Sequence, residues 1–254
     1  MMSRLISYLK RLIHYALRRK GYEIQRAHAG RPIGLHDVAR LFFNKPLRPD
    51  GEIFFVQFGA YDGESFDPIF AQVKGSRARG LLVEPQKRAY QQLVRNYGDD
   101  GRFTFVNAAI SKESGRRTLY TVDEEMVRRW PNFGACARFD RDSLVDLMKG
   151  RFKAMGIADD PVGHIQAEDV EVVTTTELLE RHGIREMDLL LIDTEGYDFE
   201  ILKMMDFKRW RPTLVVFENR ILTLEEQESA GRLLASHGYD WFTVGWNTCA
   251  VRSS

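Results

Sequence analysis

The sequence predicts an α/β protein with a doubly wound, mostly parallel sheet that ends in an antiparallel hairpin. Short apolar runs rich in β-branched and aromatic residues alternate with segments of helical spacing along most of the chain. The last two apolar runs are instead joined by Gly245-Trp246-Asn247, a spacing typical of a hairpin turn. With 254 residues, of which 44% are hydrophobic, the chain is long enough for one sizeable domain and a short appendage.

The appendage is predicted at residues 1–49 and the domain at residues 50–254. Residues 1–31 carry eight Lys or Arg and one acidic residue, a net charge of +7. Apolar residues recur at helical spacing over residues 2–20, which predicts a basic amphipathic helix that either packs on protein or lies on an anionic membrane surface. It is too charged to span a bilayer and lacks the cleavage site of a signal peptide. Residues 21–50 indicate a linker with a short helix at 36–43.

The first predicted strand, residues 53–58, runs directly into a glycine-containing loop. Its composition is typical of a strand covered on both faces. Gly59 and Gly63 then permit positive φ and a close approach of a ligand to the main chain, before a helix expected to begin near Ser65. The loop lacks the dinucleotide fingerprint, because Tyr61 and Glu64 occupy two of its glycine positions, and this argues against a dehydrogenase.

The second predicted strand, residues 80–84, ends at Glu84 and is followed by Pro85. A carboxylate in this place can accept hydrogen bonds from both hydroxyl groups of a ribose. The two strand ends together predict a nucleoside ligand without a pyrophosphate. A helix at residues 86–97 and a third strand at residues 103–107 follow.

Residues 117–122 predict an extra strand, and residues 123–169 form an insertion into the alternating pattern. The insertion is rich in aromatic residues and methionine, including Trp130, Phe133 and Phe152. It is either a cap over the site or a helical pair that fills the core, and residues 142–153 have helical spacing.

Beyond the insertion, the alternation of strands and helices resumes. The prediction here is a β-rich run at 170–173, a fourth strand at 188–193 and a fifth strand at 213–218. The run at 170–173 and the fifth strand are each followed by a helix that opens with a capping box, at Thr174 and at Thr223 respectively. In a sheet of this topology the first, fourth and fifth strands are adjacent, so Asp193, Glu218 and Asn219 should converge beside Gly59.

Five segments resemble, in order, the motifs of the FkbM-type S-adenosylmethionine-dependent methyltransferases. They are Gln-Phe-Gly-Ala-Tyr-Asp-Gly at 57–63, Val-Glu-Pro at 83–85, Asn-Ala-Ala-Ile-Ser at 107–111, Ile-Asp-Thr-Glu-Gly-Tyr-Asp at 192–198 and Phe-Glu-Asn at 217–219. The resemblance implies a class I methyltransferase-like sheet of seven strands. Gln57 departs from the pattern, because many methyltransferases carry an acidic residue there. The hydrogen bond that this acidic residue makes in other methyltransferases must here come from the Gln57 amide or from Asp62.

The resemblance also implies which residues bind the cofactor and which carry out catalysis. The predicted cofactor-binding residues are Gln57, Gly59, Ala60, Tyr61, Asp62, Gly63, Glu84, Pro85, Asn107, Ala108 and Asp193. Asp193 and Glu218 are the predicted catalytic residues, since a carboxylate can accept the proton of a hydroxyl group. Tyr61 is either a lid or a surface turn residue, and His164 is the histidine considered as a base. Asp193, Glu218 and Asn219 also offer the oxygen ligands that Mg²⁺ prefers, and the metal-free alternative leaves Asp193 as the base.

The expected activity is O-methylation of a hydroxyl group on a sugar, a glycan or another small polar metabolite, with S-adenosylmethionine as the methyl donor. The alternatives are a non-catalytic nucleoside-binding adaptor recruited to membranes by the basic helix, and an NAD-dependent oxidoreductase. Beyond residue 31 the net charge is −6, which argues against a nucleic-acid groove. The two cysteines fit neither a metal site nor a disulfide framework, so a cytoplasmic location is expected, with contact at the inner membrane face through residues 2–20.

Overall fold

The computed structural model describes residues 33–44, 52–99 and 101–253. The basic helix predicted at 2–20 therefore lies outside the described residues. Eleven strands are described: β1 Phe54–Phe58, β2 Arg79–Val83, β3 Phe103–Val106, β4 Ala109–Ile110, β5 Gly115–Val122, β6 Ala137–Arg138, β7 Ile165–Val173, β8 Leu189–Ile192, β9 Leu214–Glu218, β10 Tyr239–Val244 and β11 Asn247–Arg252. Seven of them form the central sheet in the order β10-β11-β9-β8-β1-β2-β3.

The central sheet is parallel except at one edge. β1 pairs with β2 and β8, and β8 pairs with β9, all in parallel register. β11 runs antiparallel to both β9 and β10, which confirms the predicted terminal hairpin. The predicted adjacency of the first, fourth and fifth strands is likewise confirmed, as the central order β9-β8-β1.

Eight α-helices accompany the strands in the described parts of the chain. They are α1 Leu35–Asn44, α2 Phe70–Lys74, α3 Lys87–Tyr97, α4 Glu124–Arg129, α5 Arg141–Met155, α6 Thr175–Arg181, α7 Asp198–Met204 and α8 Leu224–Ser236. The short helix expected at 36–43 is confirmed by α1. The helix expected near Ser65 begins later, because the Asp67 carboxylate accepts the backbone N–H groups of Ile69 and Phe70 and so starts α2 at Phe70.

Alternation along the strands divides the core into one cluster on each face of the central sheet. Val56 and Phe58 pack into one cluster and Phe55 into the other, since successive side chains of a strand point to opposite faces. Helices α6, α7 and α8 cover the first face, and α1, α2 and α3 cover the second. Both faces are buried, as the apolar composition of the strands predicts.

A second sheet of four strands, in the order β4-β7-β5-β6, stands beside the central one. The extra strand predicted at 117–122 is β5, and the β-rich run at 170–173 is the end of β7. These two strands pair antiparallel over their whole length, from Gly115 opposite Val172 to Val122 opposite Ile165. The predicted insertion therefore leaves and re-enters the fold at one end of a strand pair.

The insertion borders the cavity, as the cap interpretation expects, and it does not fill the core of the central sheet. Its residues build a separate hydrophobic core around Met126, Phe133, Met148 and Phe152, so it packs as an independent layer. The helix predicted at 142–153 is α5, which has the Asp140 carboxylate as its N-cap. The inner side of the same layer covers the carboxyl ends of the central strands. Among the described residues, no helix is long and apolar enough to cross a membrane.

Candidate active site

A cavity of about 1080 Å³ lies at the carboxyl ends of β1, β2, β8 and β9, beneath the insertion. Small-molecule sites typically measure roughly 300–1,000 Å³, so the volume is at the upper end of the range for such sites. Most of the predicted site residues line it: Gln57, Gly59, Ala60, Tyr61, Glu84, Pro85, Ala108, Asp193 and Glu218. The open α/β sheet thus forms its crevice where such sheets bind ligands.

The turn after β1 requires glycine at position 59. Gly59 has a φ of +78°, and a Cβ atom there would lie 1.8 Å from the backbone oxygen of Asp193. The backbone N–H groups of Gly59 and Ala60 both donate to the Val83 carbonyl, which joins the ends of β1 and β2. The turn therefore lies in direct contact with the loop that carries Asp193, and no other residue type fits there.

Three predicted cofactor residues lie outside the cavity lining. Asp62 accepts the N–H groups of Glu64 and Ser65 through Oδ1, so its side chain shapes the loop. Gly63, with a φ of +74°, packs against Leu93 and Tyr97. Asn107 donates to the carbonyls of Glu84 and Pro85 and so holds the turn after β2. These residues support the ligand-facing loops, and the structure does not bring their side chains to the cavity.

Glu84 is anchored by backbone donors as well as facing the cavity. Its Oε2 accepts the N–H of Tyr61 at 2.8 Å, and its Oε1 accepts the N–H of Gln86 at 2.9 Å. The residue is only 3% exposed, and this burial raises the pKa of its carboxyl group to about 7 against the lowering effect of the two N–H groups. Each oxygen can accept a second hydrogen bond, so the side chain can still bind a diol.

Gln57 has its acidic partner elsewhere in the loop. The Gln57 amide donates through Nε2 to Asp67 Oδ2 at 3.1 Å, so a carboxylate that the sequence analysis did not consider lies beside Gln57. Burial raises the pKa of Asp67 to about 6, although the N–H groups of Ile69, Gln57 and Phe70 oppose this. Among the described residues, Gln57 Oε1 is buried without a hydrogen-bond partner, and the Gln57 side chain lines the cavity.

Asp193 and Glu218 meet in the cavity as predicted, and a buried aspartate organises the loop between them. Asp198 Oδ2 accepts the N–H groups of Thr194 and Gly196 and the hydroxyl of Thr194, while Oδ1 accepts the N–H of Glu218. Asp198 is fully buried. It therefore ties the loop after β8 to the end of β9 and fixes both predicted catalytic residues.

The protonation of both predicted catalytic carboxyl groups is shifted in the same direction. Burial, followed by the neighbouring carboxylates Asp198, Glu218 and Glu195, raises the pKa of Asp193 well above its usual value. Asp193 is nevertheless accessible, because its side chain opens into the cavity, whose walls surround it on the other sides. Burial, followed by the carboxylates of Glu195 and Asp198, raises the pKa of Glu218 to about 7. Carboxyl groups tuned towards neutral pH are suited to proton transfer.

The magnesium set proposed from the sequence does not assemble. Asn219 is buried, its amide donates to Thr248 Oγ1, and it does not line the cavity. In the part of the chain that the structure describes, no three His, Cys, Asp or Glu side chains are grouped as metal ligands. His164 is held by Asp123 at 2.9 Å and does not line the cavity, so its predicted role as a base is not supported.

The insertion supplies the wall opposite the strand ends. Arg151 of α5 pairs with Glu195 at 3.1 Å and so connects the insertion to the loop after β8. Tyr61 has a positive φ of 47°, and its hydroxyl group reaches Gly134, where a Cβ atom would lie 2.0 Å away. Tyr61 is therefore enclosed between the loop after β1 and the insertion, as the lid interpretation expects.

Four of the residues that shape the site were missed in the sequence: Asp67, Arg138, Arg151 and Asp198. Two of them carry a signal. Asp67 precedes Pro68 and begins a helix, a pattern of turn and cap. Asp198 closes the motif at 192–198, where it was noted without a role. Arg138 and Arg151 lie in the insertion among many exposed charges, and no local pattern separates them from solvent-facing residues.

Comparison with known proteins agrees with this geometry. The sequence model of the Methyltransferase FkbM domain matches residues 57–240. A crystal structure of methyltransferase FkbM from Methylobacillus flagellatus KT aligns with 82% of this chain at 14% identity and a TM-score of 0.48. Aeropyrum pernix fibrillarin with natively bound S-adenosyl-L-methionine aligns with 91% of this chain and 86% of its own at 12% identity and a TM-score of 0.42. No curated protein matches the sequence significantly.

The matches differ in how much of each protein they cover. The chain spans 47% of the Methylobacillus protein, about half of its length. The domain match covers most of this chain, from the loop after β1 to the terminal hairpin, and the seven-stranded sheet with its antiparallel edge is the class I methyltransferase-like fold. Nothing in the structure or the comparisons supports the non-catalytic adaptor. The chain belongs to the FkbM family of S-adenosylmethionine-dependent methyltransferases.

Proposed function

We propose that the protein transfers the methyl group of S-adenosylmethionine to a hydroxyl group of a sugar, a glycan or another small polar metabolite. The observation that carries this proposal is a cavity of about 1080 Å³ at the strand ends that is lined by the loop after β1, the insertion and the carboxyl groups of Asp193 and Glu218. The hydroxyl acceptor itself is inferred from the family. A small acceptor also agrees with the net charge of −6 beyond residue 31, which does not favour nucleic acid.

The residues present fit the cofactor on two counts. Glu84 retains acceptor capacity on both oxygens, and among the described residues the Gln57 side-chain carbonyl is an acceptor without a partner. These groups would hold the ribose and the amino group respectively. The bound cofactor supplies an electrophilic methyl group. Tyr61 would then close over it from the loop after β1.

The role of this chain's own residues is to orient the acceptor and remove its proton. Displacement at a methyl group is in-line, so alignment of donor and acceptor accounts for much of the rate. The acceptor oxygen forms the new bond to the methyl carbon as the carbon–sulfur bond breaks and S-adenosylhomocysteine leaves with that electron pair, while the proton of the acceptor passes to a carboxylate. Asp193 is the base in this proposal, because it lines the cavity at the end of β8 and because burial, followed by the charges of Asp198 and Glu218, raises its pKa.

Binding tests the proposal first. Calorimetric titration of the full chain with S-adenosylhomocysteine should give saturable heat, and titration with NAD should give none. Transfer of tritiated methyl groups into a fraction of small polar metabolites should follow. Saturable binding of NAD with no binding of S-adenosylhomocysteine would instead support the oxidoreductase alternative.

Substitution of the base then separates binding from chemistry. Asp193→Asn should keep the affinity for S-adenosylhomocysteine but lower turnover by about 10²–10⁴-fold, the range for general-base catalysis. Arg232→Gln is the matched control, because it changes one charge on the exposed face of α8. Full turnover in Asp193→Asn would show that Asp193 is not the base.

A further inference from the structure

Two cavity-lining side chains carry a buried polar atom that has no hydrogen-bond partner within the described parts of the chain. Gln57 Oε1 is an acceptor, and Arg138 Nε is a donor. Buried polar atoms are nearly always paired in native proteins, so each needs an explanation. The proposed cofactor would pair with Gln57 Oε1. The donor that still needs a partner is Arg138 Nε, which belongs to a positively charged side chain of the insertion.

Arg138 is placed over the loop that follows Asp193. It lies on β6, where its backbone pairs with Tyr120 of β5. Its guanidinium group packs on Gly196, because a Cβ atom at that position would lie 3.2 Å from Nη1 and 3.4 Å from Nη2. Because Gly196 has no side chain, the Arg138 guanidinium group can pack against the backbone of the loop after β8. Gly196 follows the proposed base, Asp193, by three residues in the sequence.

The charge on Arg138 is not neutralised by the protein. Among the described residues no carboxylate forms an ion pair with it, and Glu195 of the same wall is already bonded to Arg151 at 3.1 Å. Two further cavity-lining guanidinium groups stack on aromatic rings instead of pairing with acids. Arg117 lies 4.0 Å from the ring of Phe139, and Arg220 lies 4.1 Å from the ring of Trp246. Among the described residues, these three cavity-lining guanidinium groups therefore form no ion pair, although the carboxyl groups of Glu195 and Glu218 line the same cavity.

We propose that Arg138 binds an acidic group of the methyl acceptor, so that the acceptor is a hydroxylated molecule that carries a carboxylate or a phosphate. This inference rests on the proposed function and adds the acceptor's charge to it. Guanidinium groups bind carboxylates and phosphates through two parallel hydrogen bonds, which fixes orientation as well as position. An acid held at Arg138 leaves the rest of the acceptor directed towards Asp193, from the side opposite Gln57.

The cofactor also carries a carboxylate, which is a second anionic group that a guanidinium group at Arg138 would bind. If Arg138 held that group, its loss would weaken cofactor binding. If it holds the acceptor, cofactor binding would be independent of it. The two sources are therefore separated by measuring both ligands on the same variant.

The experiment titrates the full chain with D-glucuronate, glucose 6-phosphate and neutral methyl glucoside, each with and without saturating S-adenosylhomocysteine. Arg138→Gln removes the charge, and Arg138→Lys keeps the charge but not the two-pronged geometry. Arg116→Gln is the matched control, because this arginine is on neighbouring β5 but pairs with Asp169 outside the cavity. Thermal unfolding of each variant confirms that it is folded.

The wild-type protein should bind at least one of the acids more tightly than the glucoside. Arg138→Gln should weaken that binding by about tenfold to a hundredfold, the effect of losing a charge-assisted hydrogen bond, with Arg138→Lys in between. Affinity for S-adenosylhomocysteine should not change, and Arg116→Gln should match the wild type. Equal binding of acids and glucoside, no binding of either acid, or an unaltered Arg138→Gln variant would overturn the inference.

Two outcomes separate this inference from the proposed function. Weaker binding of S-adenosylhomocysteine in Arg138→Gln would assign the guanidinium to the cofactor and overturn the acceptor role. A wild-type protein that binds an acid through Arg138 but never binds S-adenosylhomocysteine would overturn the proposed function and leave the anion site standing.

Discussion

Glu84 combines a structural and a ligand-binding role within one buried side chain. Its two oxygens hold the backbone of Tyr61 and Gln86, so it shapes the loop after β1 and the turn after β2 together. The sequence predicted only the ribose contact. A carboxylate that is already anchored needs no reorganisation when a diol arrives, which favours binding.

Glu84→Ala should weaken binding of S-adenosylhomocysteine by about 1.5–3 kcal/mol, because charge-assisted hydrogen bonds to the ligand are lost. It should also lower the free energy of unfolding, since two N–H groups lose their acceptor at a cost of about 1–3 kcal/mol each. Glu84→Gln retains one oxygen and the side-chain volume, so both effects should be smaller. Calorimetry and urea unfolding measure the two quantities. Unchanged affinity in folded Glu84→Ala would remove the ribose role.

The raised pKa values of Asp193 and Glu218 predict the pH dependence of turnover. A general base acts when deprotonated, so kcat should rise with pH and then level off, and the rising limb should lie above the usual carboxyl range because burial raises the pKa of Asp193. Glu218→Gln removes a negative charge that raises the pKa of Asp193. The rising limb should therefore move to lower pH in this variant. A limb that stays in place would show that Glu218 does not influence the base.

At the scale of elements, the loop after β1 is enclosed between two partners of different rigidity. On one side Gly59 faces the backbone of Asp193 in the loop after β8, and on the other Tyr61 reaches Gly134 of the insertion. The first contact is between two main chains that are fixed by strand pairing between β1 and β8. The second involves the end of a side chain, which can rotate.

This difference predicts unlike outcomes for two glycine substitutions. Gly59→Ala should prevent folding or destabilise the protein by more than about 3 kcal/mol, because the new methyl group overlaps a fixed carbonyl and φ is positive. Gly134→Ala should fold but bind S-adenosylhomocysteine more weakly, because the Tyr61 ring must move. Thermal unfolding and calorimetry compare them. Wild-type cofactor affinity in Gly134→Ala would mean that Tyr61 does not cover the ligand.

For the molecule as a whole, charge is divided between the N-terminal segment and the domain. Residues 1–31 carry +7 and the remainder −6. A segment of one sign next to a body of the other can bind an anionic surface while the body stays clear of it. The basic helix predicted at 2–20 lies outside the described residues, so its membrane role stays a prediction.

If that helix is interfacial, the protein should float with anionic vesicles at low salt and dissociate as salt rises, because each Lys or Arg near the surface contributes about 1 kcal/mol. Changing Arg11 and Arg18 to Glu should abolish flotation. Vesicles of neutral lipid are the control. Equal flotation with neutral vesicles, or none with anionic ones, would favour packing of the helix on protein.

The sequence predicts the parts of this molecule that follow from local pattern. The buried strands can be recognised from their apolar composition. The glycine and carboxylate residues that follow them in the sequence, Gly59, Glu84 and Asp193, all line the cavity. The sequence did not predict Asp67 as the partner of Gln57, or Arg138 as a cavity residue. Those roles depend on contacts between segments distant in sequence, such as the approach of Arg138 to Gly196. Such contacts have no local signal.

The pairing of Val122 with Ile165 has a consequence for how this protein can diversify. Opposite residues in an antiparallel pair are about 5 Å apart, so residues 123–164 depart from and return to nearly the same point. A segment with adjacent ends can be exchanged for one of another length while the strands that carry it keep their register. Arg138 and Arg151 lie within it, whereas Gly59, Glu84 and Asp193 do not. If Arg138 binds the acceptor as proposed, residues 123–164 can be exchanged to alter the choice of acceptor without altering the loops that carry Gly59, Glu84 and Asp193.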